Sequence, residues 1–140
     1  MPYTIAVVGT GYVGLVSGTC FAESGNQVLC VDIDPKKVEM LEAGGIPIYE
    51  PGLDLLLERN IRERRIRFTL DLEASVLKSE IIFLCLPTPP DEDGSADLKY
   101  VLQVAHDIGQ HKDRQRQEDE VGQAATAPSA EKKKIRWSLQ

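Results

Sequence analysis

The stretch YTIAVVGTGYVG, Tyr3–Gly14, decides the fold. Tyr3 to Val8 is a short apolar run with β-branched members, which reads as a buried strand. It ends at Gly9. The string Gly9-Thr10-Gly11-Tyr12-Val13-Gly14 has the spacing G-x-G-x-x-G. It opens a segment in which Val13, Val16, Cys20 and Phe21 fall on one predicted helical face, closed by Gly25-Asn26. Strand, glycine turn and helix in that order are the context in which such a string binds a dinucleotide. Gly9 permits a tight turn, Gly11 leaves room for a diphosphate to approach the backbone, and Gly14 lets the helix pack close to the strand. Unpaired amides at the helix start, and the positive end of its macrodipole, are the complement of that anion.

Working outward, Gln27 to Val31 is a second apolar run, as expected of a strand covered by helices on both faces. It ends in Asp32, 18 residues after Gly14. A carboxylate at this position accepts hydrogen bonds from the adenosine ribose hydroxyls and repels a 2′-phosphate, which favours NAD over NADP. Asp34-Pro35 supplies an N-cap and a first-turn proline for a helix ending at Gly44-Gly45. A further helix starts at Pro51 and carries Leu53, Leu56, Leu57 and Ile61. Ile66 to Leu70 reads as a third strand, Asp71 caps a short helix, and Ile81 to Leu86 is a fourth strand. Leu98, Val101, Leu102, Ala105 and Ile108 are expected to line one face of a last helix. Strand and helix alternating through short links predict an α/β fold with right-handed crossovers. It is a partial Rossmann-type doubly wound parallel sheet of about four strands in the order 3-2-1-4.

The chain has 140 residues, the size of one domain, and a formal charge of -6, which argues against a polyanion as its main partner. No run approaches the roughly 18 consecutive apolar residues that cross a bilayer, and the amino-terminal segment lacks the basic flank of a secretory signal. Residues 1–111 carry 9 basic and 17 acidic side chains, whereas residues 112–140 carry 7 and 5. The second stretch has only Val121, Ile135, Trp137 and Leu139 as sizeable apolar residues. Its burial cannot offset an ordering cost of roughly 1–2 kcal/mol per residue, which predicts a disordered tail. The expected division is therefore an NAD-binding domain over 1–111 and a non-homologous tail over 112–140. The basic run Lys132, Lys133, Lys134 and Arg136 is read as a solvated face, and no nucleic-acid or membrane partner is expected.

Three motifs carry a resemblance: GTGYVGLVSGTCFAESGNQVLCVDID from Gly9, PIYEPGL from Pro47 to Leu53, and TPPDEDGSADL from Thr88 to Leu98. In this order and spacing they resemble the amino-terminal part of the UDP-glucose 6-dehydrogenase family, over about residues 3–111. The resemblance implies an NAD-dependent, two-step oxidation of the sugar C6 alcohol to a carboxylate. It implies that Val13 touches the cofactor, that Asp32 holds the ribose with Lys37 beside it, and that Thr88 belongs to a Thr-Pro motif facing the ligand crevice. The cofactor-binding set is then Gly9, Thr10, Gly11, Tyr12, Val13, Gly14, Asp32, Lys37 and Thr88, with no metal ligand. Pro87 departs from the family pattern, because it has no amide hydrogen to donate to a cofactor.

The family's catalytic cysteine, lysine and aspartate lie beyond the region of resemblance, so the chain is expected to be a fragment without catalysis of its own, through a frame shift or an early stop. Cys20, Cys30 and Cys85 are too far apart for a disulfide framework or zinc site, and fit a reducing cytoplasm. All three are expected to be small buried hydrophobes, Cys20 on the core face of the first helix. His106 and His111 are expected to be exposed rather than general bases. A UDP-sugar substrate belongs to a full-length relative. Two other functions stay open: a non-catalytic nucleotide-binding or docking module, and the NAD-binding part of a related UDP- or GDP-sugar dehydrogenase. Without a fifth strand, Ile81 to Leu86 forms an apolar sheet edge, for which marginal stability and self-association are expected.

Overall fold

The computed structural model describes residues 2–126. Four parallel strands, β1 (Thr4–Val8), β2 (Gln27–Val31), β3 (Ile66–Thr69) and β4 (Ile81–Leu84), form one sheet in the order β3-β2-β1-β4. The helices are α1 (Tyr12–Glu23), α2 (Pro35–Glu42), α3 (Leu53–Arg62), α4 (Leu72–Lys78) and α5 (Lys99–Thr126). The chain therefore has the expected α/β class and strand order. β1 is central, with Val7 in register with Cys30 on one side and Phe83 on the other, and Ile5 to Val8 are buried. From β1 the chain builds outward to β2 and β3, then reverses to place β4 on the far side of β1. Parallel neighbours in this order require crossover connections, which the helices supply. α1 packs with α3, and α4 packs with α5.

The core face of α1 is not the expected one. Gly14, Leu15, Gly18, Thr19 and Ala22 are buried, whereas Val13 and Cys20 are exposed. The reason is close packing: a Cβ on Gly18 would lie 2.9 Å from Cys30 Sγ. The helix approaches the sheet on its smallest residues, so its larger side chains flank the contact instead of filling it. Val16 and Phe21 are partly buried at that flank.

The last helix also differs. It does not stop at His111 but continues to Thr126, and its one buried residue is Val104, not a position of the expected apolar face. Leu98 and Leu102 are exposed. The extension is tied to α4: Lys112 Nζ donates to the Ser79 carbonyl at 3.1 Å, and Glu73 takes Arg114 Nη1 at 3.3 Å. His111 is half-buried, with Nδ1 3.5 Å from Glu73 Oε1, while His106 is exposed. Residues 112–126 are helical although they bury little, because Gln, Arg, Glu and Ala are strong helix formers and continue a helix already nucleated. The expectation for 127–140 lies outside the described residues.

The two sheet edges are finished differently. On β3 the Phe68 amide donates to the Glu42 carboxylate. On β4, Ile81 and Phe83 remain 37% and 38% exposed. Among the described residues no helix is long and apolar enough to cross a membrane, and no group of three acidic, histidine or cysteine side chains is placed to hold a metal.

Candidate functional site

The site is built where β1 hands over to α1. Gly9 N donates to Val31 O at 2.8 Å, which binds the turn to the end of β2. Gly9 has φ +103, and a Cβ there would lie 2.3 Å from Cys85 O, so only glycine satisfies both backbone angle and space. Gly14 sits just as tightly, its hypothetical Cβ 1.9 Å from Gly9 O. Gly11 is the opposite case. It is the N-cap of α1 with an ordinary extended backbone, and a Cβ on it would meet nothing within 4 Å. No side chain caps the helix, and its first backbone bond is Leu15 N to Gly11 O at 2.9 Å. The amides ahead of Leu15 are thus without an intrahelical acceptor and sit at the positive end of the helix dipole.

Asp32 stands at the tip of β2 beside this turn. Its Oδ2 accepts the Thr10 amide at 3.1 Å and the Thr10 hydroxyl, and lies 3.5 Å from Lys37 Nζ. Its Oδ1 accepts the Asp34 amide at 3.1 Å. Partial burial opposes the charge. The bonds from the Thr10 hydroxyl and from the Asp34 and Thr10 amides, with the Lys37 ammonium, outweigh it and hold the carboxyl below the ordinary aspartate range. Thr10 itself is buried, so its hydroxyl serves to orient Asp32. Asp34 Oδ1 caps α2 through the amides of Lys36 and Lys37 at 3.0 and 3.4 Å, which places Lys37 against Asp32.

A crevice of about 790 Å³ opens over this corner. Seven of the expected residues line it: Gly9, Thr10, Gly11, Tyr12, Val13, Asp32 and Lys37. Gly14 lies beneath the turn and not on the wall. Thr88 is exposed and is not among the lining residues; Leu86 and Pro87 take that side instead. The Thr-Pro motif therefore does not bring Thr88 to the crevice, and Pro87 offers no amide there. The opposite wall comes from Leu70, Leu72, Tyr100, Gln103, Val104 and Asp107. Sequence reasoning missed these. The positions 100, 103, 104 and 107 keep helical spacing, but the stripe mixes polar and apolar types, and a search for large apolar side chains passes over it.

Neither Cys30 nor Cys85 is set up as a nucleophile. Burial pushes the Cys30 and Cys85 thiols up, Cys85 at the crevice wall and Cys30 deep in the sheet. Cys20 is exposed on α1.

Extended strand, glycine turn, uncapped helix and acid thus converge on one crevice. Residues 3–140 match the model of the UDP-glucose/GDP-mannose dehydrogenase family, NAD binding domain. The chain belongs to this family. It is similar to the UDP-glucose 6-dehydrogenase TuaD of Bacillus subtilis (strain 168), with 54% identity over 107 residues, 76% of this chain and 23% of that protein. Among solved structures it is similar to a UDP-glucose dehydrogenase from Pyrobaculum islandicum, at 40% identity and a TM-score of 0.75, over 79% of this chain and 26% of that one. It also resembles a GDP-mannose dehydrogenase from Pseudomonas aeruginosa, at 37% identity and a TM-score of 0.72, over 76% of this chain and 24% of that one. The chain spans about a quarter of the length of each of these three relatives. The family match runs past residue 111, whereas the TuaD alignment takes in 107 residues. NAD is the cofactor of this domain family, and the residues at the corner fit it: open space above Gly11 for the diphosphate, and a charged acceptor at Asp32 for the ribose.

Proposed function

We propose that this chain is the NAD-binding portion of a UDP-glucose 6-dehydrogenase. The reaction it would serve takes the C6 alcohol of UDP-glucose to the carboxylate of UDP-glucuronate, passing two hydrides to two NAD, with one water supplying the second carboxylate oxygen and the protons released to solvent. The observation that carries the reading is the juxtaposition, in one crevice, of the uncapped start of α1, open at Gly11, and the ionised Asp32. When bound, NAD supplies the hydride acceptor. This chain's residues hold it: the first-turn amides of α1 take the diphosphate, and Asp32 Oδ1, with a single donor of its own, accepts from the ribose. The Asp32 carboxylate, 3.5 Å from Lys37 Nζ, sets a negative charge where a 2′-phosphate would lie, which supports NAD over NADP. UDP-glucose is favoured over GDP-mannose as the substrate class because identity is 54% with TuaD and 37% with the Pseudomonas aeruginosa GDP-mannose 6-dehydrogenase.

The role proposed for this chain is to hold NAD and not to supply the catalytic thiol, a reading supported by the raised thiols of Cys30 and Cys85. A reducing, cytoplasmic setting fits its three free cysteines.

Calorimetric titration with NAD tests the proposal. A Cβ at position 11 meets no protein atom within 4 Å beyond its chain neighbours and the backbone of α1, so Gly11→Val is expected to leave the fold intact and to remove NAD affinity by filling the ligand's space. Asp32→Ala weakens NAD by about tenfold, the loss of a charged hydrogen bond, and narrows the gap to NADP. Identical isotherms for the three proteins would refute the site. The pH dependence has a definite sign. Because the folded Asp32 carboxyl titrates below its unfolded value, its contributions to stability and to ribose binding are complete above about pH 4 and fade as pH falls through the depressed folded value. Affinity that instead rose toward acid pH would rule out a carboxylate acceptor.

A further inference from the structure

The PIYEPGL segment, Pro47–Leu53, has no part in the cofactor site described so far, yet one of its side chains reaches that site. The loop joins α2 to α3 and is anchored on both sides of Glu50: Ile46 and Ile48 pack against the core, and Leu53 is buried at the start of α3. Leu53 N donates to Glu50 O at 3.1 Å, and Gly52 adopts φ +84 to begin the helix. Between these anchors the loop presents the Glu50 carboxylate to the glycine corner. Glu50 Oε2 accepts the Tyr12 hydroxyl at 2.8 Å. Tyr12 is the first residue of α1, immediately after Gly11, and its half-exposed ring is part of the crevice wall.

A tyrosine at the first position of a helix has more than one staggered orientation open to it. Apart from the two chain neighbours of Gly11 and the backbone of α1, no protein atom lies within 4 Å of where a Cβ on Gly11 would stand, so Tyr12 is the side chain placed to enter that space. We propose that Glu50 is a positioning residue for the cofactor: by holding the Tyr12 hydroxyl, it keeps the aromatic ring off the space above Gly11 into which the diphosphate docks. This inference rests on the NAD reading above. The hydrogen bond and charge of Glu50 also raise the Tyr12 phenol above its ordinary value, so the contact has a spectroscopic signature of its own.

The test is a set of NAD titrations on wild type, Glu50→Ala, Glu50→Gln, Tyr12→Phe and the Glu50→Ala/Tyr12→Phe double variant, alongside an NMR titration of carbon-13-labelled tyrosine. Tyr12 is assigned among the four tyrosines by the Tyr12→Phe spectrum. Loss of the tether is expected to weaken NAD about two- to tenfold, the range of one net hydrogen bond. Glu50→Ala and Tyr12→Phe should show this equally, with no further loss in the double variant. Glu50→Gln, which retains an acceptor oxygen, should bind close to wild type. In Glu50→Ala the Tyr12 phenol should titrate lower than in wild type. Wild type that binds NAD while the single variants bind equally well, or single losses that add in the double variant, would overturn the positioning role alone. Wild type that binds no NAD would overturn the cofactor reading and this one with it.

Discussion

The glycine corner and α5 face each other across one crevice, but they are secured by different means. At the corner, backbone meets backbone: Gly9 holds Val31 O at 2.8 Å, and neither Gly9 nor Gly14 has room for a single carbon. α5 packs with α4, buries a single side chain, Val104, and adds a fringe of polar contacts from His111, Lys112 and Arg114. One wall is therefore set by packing that cannot yield, and the other by contacts that exchange with water at small cost. On the reading proposed above, anion recognition would fall on the rigid wall, and the opposite wall would be able to adjust to what enters.

The largest expected effect is at the corner. Gly14→Ala forces a carbon within 1.9 Å of the Gly9 carbonyl oxygen and should cost about 3 kcal/mol or more, seen as loss of the cooperative melt. A normal melt for this variant would show that the corner can give way and would remove the distinction. Val104→Ala should cost about 1–2 kcal/mol by denaturant titration, the removal of two buried methyl groups. A loss as large as that of Gly14→Ala would show α5 to be as firmly built as the corner. Arg114→Ala should change stability by less than about 0.5 kcal/mol, because its partner Glu73 is well exposed. Hydrogen exchange sharpens the same comparison: amides of β1 and β2 should be protected to the level of global unfolding, and those of 112–126 should exchange by local opening.

How far this could be read from the residues follows from the same contrast. β1, the glycine turn, β2 and Asp32 announce themselves because each demands a particular residue type: apolar on both faces of a strand, no side chain at a tight approach, a carboxylate at a strand tip. The N-caps Asp34 and Asp71 were equally plain, and both accept helix amides as expected. What stayed hidden was packing through small residues. The core side of α1 is Gly14 and Gly18 with Leu15, so ranking side chains by size chose Val13 and Cys20, which are exposed. The far wall escaped for a similar reason, since Tyr100, Gln103 and Asp107 are unremarkable until α4 and the strand ends bring a crevice to them. The continuation of α5 beyond His111 depends on intrinsic helix propensity and a few contacts to α4, and leaves no apolar period to detect.

Amide chemical shifts followed as NAD is added test the central claim most directly. The account predicts saturable shifts concentrated at Gly9 to Gly14 and at Asp32, with smaller ones at the α5 residues Tyr100, Gln103 and Asp107. Saturable shifts centred anywhere else, with the amides at the start of α1 unmoved, would contradict it.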